Sequence, residues 1–145
     1  MVAETLRFSV LMTRLVDWEN RLRTLVDEWT ASKYRPGIVD CGRFAARWVE
    51  AITGVYHDPV GEYYEIREGM AKLNALGFDD HVEYAKSLYP TDHWSTARVG
   101  DLAILPGRDG GLTLGGVWGA RVYVVDDECL CTVDLALAKS VLRIN

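Results

Sequence analysis

The chain has 145 residues, of which 49% are hydrophobic and 26% charged, the proportions of one folded domain and not of a disordered segment. Its net charge of -5 excludes broad electrostatic contact with nucleic acid or anionic lipid, either of which requires a basic surface. No run of about 20 apolar residues is present to cross a bilayer and the start does not read as a secretion leader, so no membrane insertion is expected. Three cysteines, Cys41, Cys129 and Cys131, are too few and odd in number for a disulfide framework and are expected to be reduced.

No repeat or linker divides the chain, and residues 1–145 read as a single α+β domain. Trp18, Leu22, Leu25, Val26 and Trp29 form one apolar stripe at helical spacing, predicting an amphipathic helix over about 13–31. Pro36-Gly37 forces a turn. A second helix is predicted over 41–53, with Asp40 as N-cap, Phe44, Ala45, Trp48, Val49 and Ile52 as its buried face, and Gly54 as its stop. Weaker helical patterns run from Glu62 to Leu76 and from Asp80 to Leu88, separated by Gly77-Phe78.

After Pro90 the pattern changes to short β-like runs: Asp101 to Leu105, Thr113 to Trp118, Arg121 to Val125 and Cys129 to Val133. The intervening turns are Pro106-Gly107, Asp109-Gly110-Gly111, Gly119 and Asp126-Asp127. These predict a meander built between Asp101 and Ile144 that packs on the Cys41 helix. Cys129-Leu130-Cys131 has no second pair of thiols or imidazoles near it to complete a zinc site and reads as packing on one strand face. Asp126-Asp127-Glu128 reads as a solvated turn, with cation binding as the alternative. The residues imply no cofactor and no metal.

The position of Cys41 carries chemistry. A cysteine at a helix N-terminus lies near unpaired backbone amides and the positive end of the helix dipole, both of which favour thiolate. Cys41 is therefore the candidate nucleophile; the alternative is a small buried apolar residue, since Phe44, Ala45 and Trp48 share its side of the helix. Of the three histidines, His93 in Asp92-His93-Trp94 is the candidate base. His57 and His81, beside Asp58 and Asp80, read as turn or helix-cap surface.

Gly37-Ile38-Val39-Asp40-Cys41 followed by an apolar helix, then Gly100-Asp101-Leu102-Ala103-Ile104-Leu105, then the glycine-bearing run Leu114-Gly115-Gly116-Val117-Trp118-Gly119, resembles the NlpC-type cell-wall cysteine peptidases of the papain-like superfamily. The likeness covers about residues 34–125. With the Trp-bearing helix ahead of the motif, the chain looks like the small tail-assembly proteins of long-tailed phages that share this fold. The resemblance implies N-terminal helices packed on a C-terminal antiparallel sheet, and a histidine base on the strand that follows Gly-Asp-Leu. At that position this chain has Thr113, and Val124 stands where a polar residue should orient the histidine. Neither can do so.

The resemblance with these departures leads to an expectation of a degenerate peptidase fold with no imidazole in reach of Cys41. Such a protein would act by contact with other phage tail proteins, in the virion tail and, during assembly, in the host cytoplasm. The alternative is an active cysteine hydrolase that cuts peptidoglycan stem peptides through Cys41.

Overall fold

The computed structural model describes residues 14–107 and 110–145. The expected helix start at Thr13 and Asp109 of one predicted turn lie outside the described residues. The first helix, α1, spans Trp18–Trp29. Arg14 to Asp17 are not helical, so α1 is shorter at both ends than the apolar stripe suggested. Leu22 and Leu25 are buried, and Trp18, Val26 and Trp29 pack half-buried against the same core.

Helix α2 spans Cys41–Thr53, the range read from the sequence, because both of its ends are fixed by side-chain chemistry. At the start the Asp40 carboxylate accepts the Arg43 amide at 2.8 Å. At the end Gly54 adopts φ +83° and its N–H reaches the Glu50 carbonyl, a left-handed exit that glycine makes without a Cβ penalty. The buried face of Phe44, Ala45, Trp48, Val49 and Ile52 forms as expected. Two shorter helices follow, α3 (Ile66–Ala75) and α4 (His81–Leu88).

Among the described residues, six strands form one sheet: β1 (Thr91–Asp92), β2 (Leu102–Pro106), β3 (Leu112–Trp118), β4 (Arg121–Val125), β5 (Leu130–Asp134) and β6 (Ser140–Leu142). Their order is β1-β6-β2-β3-β4-β5, and every pair is antiparallel. The predicted meander accounts for β2 to β5. The structure departs from it where β6 returns to the far edge of β2, and where β1, outside the expected span, caps that edge through Arg143 Nε on Asp92 at 2.7 Å. Cys129 falls in the turn before β5 and not on the strand.

One face of the sheet, with Leu102, Ile104, Leu114 and Leu142, packs on the helices. The other, with Ala103, Leu105, Val117, Val122 and Val141, lies beneath Trp94 and Leu135, which belong to two 3-10 turns at Trp94–Thr96 and Leu135–Leu137. Helix α2 is locked to the sheet through Trp48, which is fully buried between Phe44 and Tyr123 and donates from its indole nitrogen to the Gly100 carbonyl at 2.9 Å. Close approach needs a glycine beneath it, because a Cβ at Gly116 would lie 2.6 Å from the indole ring. Trp48 therefore sets where α2, and with it Cys41, stands over β3.

Candidate active site

The segment before α2 is a tight turn. Ile38 N–H reaches the Arg35 carbonyl at 3.0 Å, and Arg35 and Val39 exchange backbone bonds at 2.8 and 2.7 Å. Pro36 and then Gly37 at φ +83° occupy the two central positions that a turn with one positive φ prefers for those residues. The turn delivers Asp40, 1% exposed, whose second carboxylate oxygen accepts the Gly37 amide at 2.8 Å and the Tyr63 hydroxyl at 2.5 Å. Cys41, the next residue, begins the helix.

A second helix start faces it. Gly77 at φ +97° ends α3, and the Asn74 amide donates to the Phe78 and Asp79 carbonyls at 2.8 and 3.1 Å, holding the loop that leads to α4. Asp80 caps α4 by accepting the Glu83 amide at 2.8 Å, and Val82 and Ala85 anchor the helix in the core. His81 is thereby placed with its Nε2 at 3.2 Å from Cys41 Sγ. The expectation that no imidazole reaches the thiol is overturned by this contact, and His81 is not surface cap.

The electrostatics follow from the contact. Burial alone would push the Cys41 thiol up, but the hydrogen bond and charge of His81, with a hydrogen bond from Thr113, outweigh it and hold the thiol below its ordinary value; Asp40 acts against them. For His81, burial would favour the neutral ring, yet the bond and charge of Cys41, followed by Asp80 and Asp40, raise it above the ordinary imidazole value. Both directions favour a thiolate–imidazolium pair, which titrates as a unit. Such a pair is a nucleophile with its proton donor already in place.

The pair opens on a cleft of about 1050 Å³ whose walls include Thr113, His57, Tyr63 and Tyr84. His57, read from the sequence as a surface turn, is half-buried, its Nε2 3.1 Å from the Tyr89 hydroxyl. Burial first, then Tyr84, push Tyr89 up to about 12, so its hydroxyl stays protonated, and the tautomer of His57 sets which of the two donates. Among the described residues, no group of three or more His, Cys, Asp and Glu is arranged to hold a metal ion, and no helix is long and apolar enough to cross a membrane.

The other sequence candidates lie elsewhere. His93 is exposed and caps a 3-10 turn, with Nδ1 2.7 Å from Ser95 Oγ and accepting the Ser95 amide at 3.1 Å. It is not the partner of Cys41. Val124 packs against the second core layer, so the strand residue expected to orient a histidine is apolar in space as well as in sequence. Thr113 does lie against Cys41, as the order of motifs implied. The imidazole comes from α4 and not from this strand.

A signal for His81 was present. Asp40-Cys41 and Asp80-His81 share one pattern, an aspartate N-cap followed by a reactive side chain at the first helical position. What the sequence does not display is that the two helix starts, 40 residues apart, meet.

No curated protein matches the chain. A family model described as a domain of unknown function (DUF6950) matches residues 13–144, nearly the whole chain, and the chain with its paired Cys41 and His81 belongs to that family.

Proposed function

We propose that the chain is a cysteine hydrolase in which Cys41 is the nucleophile and His81 its acid/base partner. The observation that carries this reading is the 3.2 Å approach of Sγ to Nε2 at the wall of a cleft large enough for a peptide-sized ligand. The Cys41 thiolate attacks a carbonyl carbon, and the C–N bond breaks as His81 gives its proton to the departing nitrogen. The resulting thioester is hydrolysed when water, deprotonated by His81, attacks the same carbon and the C–S bond breaks, which releases the carboxylic acid and returns Cys41 as a thiolate beside the His81 imidazolium. Cys41 and Gly42 lie in the first turn of α2, where backbone N–H groups have no carbonyl partner within the helix. They are the natural donors to the developing oxyanion.

The resemblance of residues 34–125 to NlpC-type peptidases supports a peptide bond of peptidoglycan as the substrate. It also supports a place in a phage tail, among other tail proteins and formed in the host cytoplasm. Action by contact alone loses its main support, because that reading rested on a missing imidazole. Incubation of the pure protein with peptidoglycan stem peptides should release new amino groups, and Cys41→Ala should abolish the release. Release that persists in Cys41→Ala, or no release from the wild-type protein, would refute the assignment.

A further inference from the structure

The aspartate beside the thiol poses a problem for a thiolate. Asp40 is 1% exposed, adjoins Cys41 in sequence, and its charge opposes ionisation of the thiol. As N-cap it accepts the Arg43 amide, and from the turn the Gly37 amide. The third donor is a side chain brought from a distant segment: the Tyr63 hydroxyl, 23 residues away, at 2.5 Å.

Tyr63 is built into place. A Cβ on Gly69, in α3, would lie 3.1 to 3.2 Å from its ring, so the ring lies close over that helix. The Arg43 guanidinium stands 4.8 Å from its centroid. The Tyr63 carbonyl sits against Gly37, where a Cβ would come within 1.9 Å. Arg43 holds the preceding residues, donating to the Gly37 carbonyl at 3.1 Å, to the Tyr56 hydroxyl at 3.2 Å and to Asp58 at 2.8 Å. Burial first, then the bond and charge of Asp40, push the Tyr63 hydroxyl well above its ordinary value, so it stays protonated as a donor.

We propose that Tyr63 is a positioning residue for the reactive thiol: its hydroxyl binds the Asp40 carboxylate, fixes its orientation and withdraws part of its negative field from Cys41. A carboxylate is kept at this position because it caps α2, and Tyr63 limits the penalty that its charge imposes on the thiolate one residue on. The groups facing Cys41 are then His81 from α4, Thr113 from β3 and Asp40 from its own helix, with Tyr63 and Arg43 acting on Asp40. The inference rests on the reading of Cys41 and His81 as a reactive pair.

The test is the pH profile of Cys41 alkylation by iodoacetamide, with the modified residue identified by peptide mapping, in wild type, Tyr63→Phe, Asp40→Asn and the double variant. Tyr63→Phe keeps the ring and should move the midpoint up, slowing alkylation about threefold below it, which corresponds to about half a pH unit. Asp40→Asn retains an N-cap acceptor and should move the midpoint down. In that background Tyr63→Phe should have little further effect, since the charge it acts on is gone. An unchanged midpoint in folded Tyr63→Phe, or an equal shift in both backgrounds, would overturn the proposal. Should Tyr63→Phe not fold, Asp40→Asn alone decides, because a midpoint that fails to fall removes the premise. His81→Ala run alongside separates the two readings: a midpoint that does not rise in His81→Ala sinks the reactive pair, whereas a rise there with none in Tyr63→Phe sinks only the role of Tyr63.

Discussion

Removal of the His81 imidazole should convert Cys41 from an activated thiol to an ordinary buried one. In the wild-type protein the imidazole, at 3.2 Å, is the main influence holding the thiol down against burial. A hydrogen bond involving a charged group contributes about 1.5–3 kcal/mol net, and one pH unit corresponds to about 1.4 kcal/mol. The Cys41 midpoint should therefore rise by about one to two pH units in His81→Ala, and alkylation below the wild-type midpoint should slow by about ten- to a hundredfold. The sign follows from the pair: a thiol held below its ordinary value reacts from lower pH upward, and loses that advantage when its cationic partner is removed. Folding should survive, because α4 is capped by Asp80 on the Glu83 amide and anchored by Val82 and Ala85, none of which is changed. The assay is alkylation rate against pH, with His93→Ala as the control that should behave as wild type. A His81→Ala midpoint equal to that of the wild type, or a rise in His93→Ala, would refute the assignment of His81.

Two further outcomes are expected. Thr113→Val removes the hydroxyl that helps hold the Cys41 thiol down while keeping a β-branched residue on β3; the alkylation midpoint should rise, by less than in His81→Ala, and an unchanged midpoint would remove Thr113 from the site. Trp48→Ala deletes a fully buried indole and leaves the Gly100 carbonyl without its donor; destabilisation of about 3–5 kcal/mol should appear as a lower denaturant midpoint, and wild-type stability would refute the role of Trp48 in seating α2.

Some of this architecture was legible because it is written locally. Helix α2 could be bounded to the residue because an aspartate cap and a left-handed glycine are both short-range signals. Strands β2 to β5 follow from short β-like runs set between turn residues. In contrast, β1 and β6 are two and three residues long and exist through pairing with each other and with β2, information that no short window contains. The start of α1 was misplaced for a related reason: Arg14, which a helical pattern would include, is bound instead to the Val99 and Ile144 carbonyls at 2.7 and 2.9 Å, far away in sequence. The site divided in the same way. Cys41 and its cap Asp40 are read from one short motif, whereas His81 depends on the start of α4 being brought against the start of α2, and its neighbour Asp80 made it resemble an ordinary capped surface residue.

A base carried on a helix, and not on the strand that the resemblance implied, changes the chemistry of the pair, not only its address. Cys41 and His81 each occupy the first position of a helix, so each lies at the positive end of a dipole, an effect of about 0.3–1 kcal/mol per charge. For the thiolate this is favourable. For the imidazolium it is unfavourable, and burial opposes the cation as well. The charge on His81 is recovered by Cys41 itself and then by Asp80 and Asp40. The two aspartates that cap these helices both favour the imidazolium, and Asp40 in addition opposes the thiolate. A base on β3, at the position of Thr113, would face the start of α2 but not a second helix start of its own. In the proposed reaction the cap of α4 therefore has two effects, since Asp80 both starts the helix that carries His81 and offsets the field that start creates.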